Sequence, residues 1–467
     1  MLDPRLHTAW LVNAASGTAA ATVRAPMALP SSGSGARDRL VVTDLEVITV
    51  THDTAILTWS THRRDRAGQL RPAAADTEVL LAPADSSATP VTRYLDSRRT
   101  AHHYAEVRGL EPGRRYRFRA CSDGETAVPG RTWVTRRPGT PEATGVFRTA
   151  PPPPGRLLRT IALANDLHWG EDRSGLIVAG LPPGLRHDDG LYPQVMTEAL
   201  LHDIRRPERA ADHLVVAGDL TDRGTAEQST GIRARLDAWS AAGSEHFVCR
   251  GNHDVPRGEN DHWGTVFQPF GQLTCHELGG LRLIGLDTTR RRGSGGTINA
   301  DQLAHLRTTL AADPDRPTLI FGHHPATRYA ALSNPGGPGF VLDRASVAAL
   351  QACYRTTPGV FLHHSGHTHR NRRSRPDSGH VEYLEVAAVK EYPGGYALLR
   401  IYEHGYTVHF HRIAAAAALA WTSKTRKQYF GLHPDHALGS LSDRNHRASH
   451  DFSGVTAPRR GPHRPRP

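Results

Sequence analysis

Five short stretches of the chain carry residues suited to holding cations. They are Asn165-Asp166-Leu167-His168, Gly218-Asp219-Leu220-Thr221-Asp222-Arg223-Gly224, Gly251-Asn252-His253-Asp254, Gly322-His323-His324-Pro325 and Gly366-His367-Thr368-His369-Arg370. Brought together, they would place two or three carboxylates, one amide and at least four imidazoles at one spot. Groups of this kind gather at such density chiefly around hard or borderline cations. Oxygen and nitrogen donors without thiolate argue against a structural zinc site. Singly, each stretch is weak: Asp-x-His is common in loops, and His-x-His can be a solvated turn. What gives them weight is their shared context, because each directly follows an apolar run.

Those runs are 161–164, 214–217, 247–249, 319–321 and 360–362, with a further one at 281–286. Segments with helical periodicity lie between some of them, at 195–205, 230–241 and 301–311. Short buried strands alternating with helices predict an α/β layered domain, whose strand-end loops converge on one cleft. Further on, 381–389, 396–402 and 406–412 read as strands, the last two joined as a hairpin through Glu403-His404-Gly405. An alanine-rich helix is expected after Ile413.

The first 150 residues have a different texture. Residues 1–39 are rich in Ala, Ser, Gly and Thr without periodicity, the composition of a disordered segment. From 40 to 150, short runs at 41–50, 55–60, 77–81, 104–107, 116–120 and 145–149 alternate with turn residues, the pattern of a small all-β sandwich. Its sharpest feature is the Pro112-Gly113 turn feeding a strand whose Tyr116 can bond back across the corner. Pro151-Pro152-Pro153-Pro154-Gly155 cannot continue a sheet, so 151–157 reads as a linker. The α/β layered domain is then expected over 158–412, with 413–467 helical and ending in a basic Pro/Arg-rich tail.

The net charge of +11 at first suggests a nucleic-acid partner. Only three of the 57 basic residues are lysine, however, and arginine rises together with alanine, glycine and proline, a chain-wide bias rather than a binding stripe. No aromatic-basic interleaving supports a nuclease. Mean hydropathy is −0.47 and no apolar run approaches the ~20 residues of a membrane helix, so no membrane span is expected. Four widely spaced cysteines form no CxxC pair. Without a basic segment leading into a long apolar one, a cytoplasmic location is expected.

In order and spacing, the five stretches resemble the calcineurin-like metallophosphoesterase superfamily, and within it the class III cyclic-nucleotide and glycerophosphodiester phosphodiesterases. Residues 40–150 resemble a fibronectin type III domain or the related N-terminal domain of purple acid phosphatases. The resemblance implies a four-layer α/β/β/α sandwich holding two divalent ions, Mn²⁺, Fe²⁺ or Zn²⁺. It implies that Asp166, His168 and His369 bind the first ion, that Asn252, His323 and His367 bind the second, and that Asp219 bridges both. A hydroxide between the ions would attack phosphorus, and His253 would protonate the leaving group. Asp222 would pair with His253, and Arg223 would grip the phosphate. The purple acid phosphatases carry a ferric-iron tyrosine where this chain has Asp222, so a colourless site is expected. The implied substrate is a small phosphodiester. The alternatives are a phosphomonoester, or a non-catalytic interaction scaffold that would have been free to lose His253.

Overall fold

The structure is a computed structural model that describes residues 39–130, 139–175, 184–187, 190–241, 243–256, 258–334, 336–375, 379–428 and 433–458. The Ala/Ser-rich segment, except Arg39, and the end of the basic tail lie outside them. The chain divides into two compact units near Pro151 and Pro152.

Among its described residues, the first unit is all-β apart from one helical turn, Pro141–Thr144. Its strands are β1 (Val41–Val50), β2 (Thr54–Arg64), β3 (Leu70–Pro72), β4 (Ala75–Pro83), β5 (Val91–Thr100), β6 (His102–Arg108), β7 (Arg115–Ser122), β8 (Glu125–Thr126) and β9 (Val146–Arg148). One sheet runs β1-β2-β3 with β6 on β2; the other runs β5-β4-β7-β8 with β9 on β7. Their alternating inward residues build a core around Val47, Ile56, Trp59, Val79, Val107 and Phe147. The Glu111 N–H donates to the Tyr116 hydroxyl at 2.9 Å, closing the corner after the Pro-Gly turn. β5 escapes the sequence pattern because seven of its ten residues are exposed and none is buried, so it lacks the half-buried alternation that marks a strand.

The second unit has two six-stranded sheets. The first is built from β10 (Leu157–Ala164), β11 (His213–Ala217), β12 (Glu245–Cys249), β19 (Gly395–Tyr402), β20 (Gly405–Arg412) and β21 (Asn445–Ser449), in the order β12-β11-β10-β19-β20-β21. The second contains β13 (Thr274–Leu278), β14 (Leu281–Leu286), β15 (Thr318–Gly322), β16 (Val360–Ser365), β17 (Arg372–Ser374) and β18 (Glu382–Glu385), in the order β13-β14-β15-β16-β18-β17. In β10 and β11, Ala162, Ala164, Leu214 and Val216 face helices Tyr192–Asp203, Ala226–Ser240 and Ala416–Thr425. Helices Ala300–Ala312 and Arg344–Arg355 cover the second sheet through Leu306, Leu310, Val347 and Leu350. The inner faces meet, with β11 against β15 and β12 against β14. The result is an α/β/β/α sandwich. Three of its longer helices begin at side-chain caps, Thr225, Asn299 and Asp343, each accepting a backbone N–H from the first turn and worth ~1 kcal/mol.

Two sequence expectations need revision. The run 381–389 forms a strand only over Glu382–Glu385; beyond it the chain leaves the second sheet, and the Val389 N–H donates to the Asn165 carbonyl at the end of β10. The region after 412 is not only helix and tail, because Asn445–Ser449 pairs with β20 and extends the first sheet. Its residues, Asn-His-Arg-Ala-Ser, have no apolar alternation to announce a strand.

Candidate metal centre

Each of the five polar stretches begins where a buried strand ends: β10, β11 and β12 in one sheet, β15 and β16 in the other. β10, β11 and β12 run parallel, as do β15 and β16, so their carboxyl-end loops emerge on common sides. Backbone bonds then tie loop to loop. Asp166 N–H donates to the Gly218 carbonyl at 3.1 Å and His168 N–H to the Asp219 carbonyl at 2.9 Å in the first sheet, Gly366 N–H donates to the His323 carbonyl at 3.1 Å in the second, and His367 N–H reaches from one sheet to the other to Asp166 Oδ2 at 3.0 Å.

The turns are strained. Among the described residues, eight non-glycine positions have positive φ, and five of them are Asp166, His168, Asp219, His367 and His369, at +49° to +68°. Each costs of order 1–3 kcal/mol, so the surrounding structure must over-determine them. It does so with buried polar clamps. Glu385 accepts from the Thr368 hydroxyl at 2.6 Å and from Arg370 at 2.7 and 3.1 Å, which pins the His367–His369 turn. Asp254 accepts from Leu220 N–H, from Thr221 N–H and hydroxyl, and from Gly251 N–H, locking the second and third loops together. Close approach also demands glycine. A Cβ on Gly251 would sit 2.1 Å from the Asp219 nitrogen, and one on Gly366 would sit 2.6 Å from Asp166 Oδ2.

Six of the seven expected ligand side chains converge pairwise. His369 Nε2 lies 3.3 Å from Asp166 Oδ1, and His168 Nε2 lies 4.0 Å from the same oxygen. Asp219 Oδ2 is 3.4 Å from His168 Nε2 and 3.2 Å from His323 Nε2, so this carboxylate stands between the two groups. His323 Nε2 is in turn 3.0 Å from His367 Nδ1. The seventh, Asn252, joins through Oδ1, 3.0 Å from His323 Nε2. The backs of two rings are held by carbonyls: His323 Nδ1–H donates to Ala217 O at 2.9 Å, and His367 Nε2–H donates to Phe340 O at 2.5 Å.

This donor set fits cations. Asp166 Oδ1 and His168 Nε2 are buried and have no hydrogen-bond partner; their nearest polar neighbours are other members of the cluster. Asp166, His168 and His369 offer atoms within 4.8 Å of one another, and so do Asp166, Asp219 and His323. The field of the site also favours positive charge. Burial works against a charged imidazole, yet Asp219 and Asp166 raise His323 to about 9. Burial and Lys390 oppose the same change at His168, but Glu171 and Asp219 take it to about 9. Asp166 and Glu391 carry His369, against burial, to about 10. Burial would lift the Asp219 carboxyl, but His323 and His253 hold it well below its ordinary range.

The remaining expected residues sit at one edge. The His253 ring centre is 4.3 Å from that of His168, and its N–H donates to Asp219 Oδ1 at 2.8 Å. Its Nδ1–H donates to the Asp222 backbone carbonyl at 3.0 Å; the Asp222 carboxylate is farther, at 3.7 Å. Asp222 thus meets His253 first through its main chain. Arg223 is 61% exposed, and its Nε donates to Asp222 Oδ2 at 2.8 Å. His324, next to a candidate ligand in the fourth stretch, is satisfied by the Thr288 hydroxyl and the Ser294 carbonyl, and burial lowers it to about 3. Arg370, at the end of the fifth stretch, is committed to a buried pair with Glu385.

Sequence reasoning missed Glu171, Lys390 and Glu391, which stand behind the first group of imidazoles. One signal was present: Lys390 is one of only three lysines in the chain, and it directly follows the apolar run 386–389.

Residues 159–371 match the family model described as Calcineurin-like phosphoesterase. Residues 159–371 are thus similar to calcineurin-like phosphoesterases. The matched span runs from β10 to the loop after β16 and includes all five polar stretches. Among curated proteins, this domain is 31% identical over 140 residues to the "Probable cyclic nucleotide phosphodiesterase" of Synechococcus sp., covering 29% of this chain and 52% of that one. It is 25% identical over 189 residues to the "Probable glycerophosphodiester phosphodiesterase GpdQ" of Arcobacter nitrofigilis, covering 38% and 63% respectively. The chain therefore spans about half to two thirds of the length of these relatives. Of solved structures, a dimetal phosphatase from Danio rerio aligns with TM-score 0.42 and 15% identity, covering 55% of this chain and 96% of that one. Among the described residues, no helix is long and apolar enough to cross a membrane.

Proposed function

We propose that the chain is a two-metal phosphoesterase that hydrolyses a small phosphodiester. The observation that carries this reading is the pair of orphaned buried atoms, Asp166 Oδ1 and His168 Nε2, beside an Asp219 carboxylate set between two imidazole groups. In this reading Asp166, His168 and His369 hold one divalent cation, Asn252, His323 and His367 a second, and Asp219 both. Mn²⁺, Fe²⁺ and Zn²⁺ all suit these oxygen and nitrogen donors. When bound, such a pair supplies Lewis acidity at a phosphoryl oxygen and an acidified water.

The protein's own groups do the rest. Asp219 fixes the third loop as well as serving the ions, because its Oδ1 accepts the His253 N–H. With Nδ1–H committed to the Asp222 carbonyl, His253 is left with Nε2 for the departing oxygen, to which it delivers a proton. Asp222 keeps that ring oriented, and the exposed Arg223 beside it is assigned to the phosphoryl oxygens, where a guanidinium can bind two at once.

The diester preference rests on the relatives named phosphodiesterases, and a phosphomonoester is the competing substrate. Turnover of bis(p-nitrophenyl) phosphate and of p-nitrophenyl phosphate with Mn²⁺ separates the two. The diester is expected to be the faster substrate; faster monoester turnover rejects the preference.

A further inference from the structure

Behind the Asp166 side of the site lies a second layer of charge. Glu171 Oε2 accepts from Lys390 Nζ at 2.7 Å and from the Tyr192 hydroxyl, and it lies 3.3 Å from His168 Nδ1. Glu391 Oε1 lies 2.8 Å from His369 Nδ1, and Glu391 Oε2 accepts from the Ser174 hydroxyl at 2.5 Å. Lys390 and Glu391 are 5% and 2% exposed. Their segment is fastened to the first ligand loop, since Lys390 N–H donates to the Asp166 carbonyl at 3.3 Å.

The His168 ring has two possible neutral arrangements, and its neighbours choose between them. An ammonium can only donate. If Lys390 donated to Nδ1, the ring hydrogen would sit on Nε2 and point at Asp219, where a cation would be repelled. But Lys390 Nζ is 3.5 Å from Nδ1 and already bonded to Glu171 at 2.7 Å, whereas the Glu171 oxygen is nearer to the ring and can only accept. With Nδ1–H on Glu171, Nε2 presents its lone pair to the orphaned side of the cluster. Glu391 imposes the same choice on His369. Such outer partners fix which ring nitrogen a metal meets.

We infer that Glu171 and Glu391 are positioning residues, each accepting the Nδ1–H of an imidazole whose Nε2 receives the first cation, and that buried Lys390 balances the charge of Glu171. This deepens the two-metal reading and rests on it. Without Lys390, two carboxylates would add to Asp166 and Asp219 in a site shielded from water. Without Glu171, the ammonium would be a buried cation beside the metal.

The test removes charge and acceptor separately. Glu171→Met alone leaves Lys390 unpaired and risks the fold, so two double variants are compared, Glu171→Met/Lys390→Met and Glu171→Gln/Lys390→Met. Both lack the ion pair; only the second keeps an acceptor oxygen for His168. Mn²⁺ affinity is measured by titration, and the His168 Nδ1–H signal is followed by ¹H–¹⁵N NMR in the Zn²⁺-loaded protein. The Met/Met protein is expected to bind Mn²⁺ about 10–100-fold more weakly than the parent and to lose the slowly exchanging Nδ1–H signal, while the Gln/Met protein recovers most of both. Equal affinities in the two variants, whether both parental or both reduced, overturn the positioning role. The unsubstituted protein is the separate control: if it binds no Mn²⁺, the two-metal reading itself fails.

Discussion

In the N-terminal unit His103 lies flat against Trp59, ring centres 5.0 Å apart, with Thr77 Oγ1 2.8 Å from Nδ1 and Thr61 Oγ1 3.0 Å from Nε2. It belongs to regular strand β6, and burial lowers it to about 4, so it is neutral. In the second unit His168 is as deeply set and His369 is half-buried, but both stand on left-handed turns, against carboxylates that raise them to about 9 and 10. The first arrangement satisfies a buried imidazole with neutral hydroxyls and uses it to fill a core. The second leaves a ring nitrogen facing other ligands and strains the backbone to do so. Burial alone does not separate a packing histidine from a metal ligand; the partners of its nitrogens and the backbone beneath it do.

Substitutions on the two sides of this contrast should part activity from stability. The largest effect is expected at the bridge. Asp219→Ala should lower phosphoester turnover about 10³-fold or more, since several kcal/mol of transition-state stabilisation goes with the ions and each 1.36 kcal/mol is tenfold. The variant should keep its circular dichroism spectrum, with a midpoint lowered only by the lost acceptor of the His253 N–H; global unfolding would contradict the separation of activity from stability. Next comes His253→Ala, with a loss of about 10²–10⁴-fold on an alkyl ester, whose poor leaving group needs a proton. On a p-nitrophenyl ester the loss should be far smaller; equal losses on both would remove His253 from the role of acid.

How much of this was legible in sequence follows from how each residue reaches the site. The residues proposed as ligands follow apolar runs, so strand identity and loop position together pointed to Asp166, Asp219, Asn252, His323 and His367. Glu171 and Lys390 meet although they are 219 positions apart in sequence. They meet because β19 pairs antiparallel with β10, which brings the segment ahead of β19 alongside the loop that follows β10. No local pattern encodes that pairing. For the same reason Glu385 read as a strand residue and Arg370 as part of a solvated run, although they form a buried pair. Strands β5, β17 and β21 were missed because polar or exposed residues do not alternate visibly.

The smallest effect belongs to the sandwich. His103→Leu strips Thr61, Thr77 and Ser122 of a buried partner and should cost about 1–3 kcal/mol in the N-terminal unit, leaving kcat unchanged. The same residue sets an acid limit. Its pKa falls from 6.5 unfolded to about 4 folded, so the unfolded chain binds the proton more readily. The stability it contributes is complete above pH 6.5 and drains away as pH falls toward 4. Calorimetry of the parent and of His103→Leu across that window should show the parent losing more stability than the variant. Parallel slopes would mean that His103 is not buried neutral.

The central claim is that two imidazole–carboxylate groups sharing Asp219 hold a pair of metal ions on which hydrolysis depends. The most direct test strips the full chain of metal, reloads it with Mn²⁺ and follows bound manganese by elemental analysis against turnover of bis(p-nitrophenyl) phosphate. Binding that saturates at two ions per chain, with activity rising as the sites fill, is the predicted result. A stripped protein that hydrolyses the ester at the full rate would contradict it.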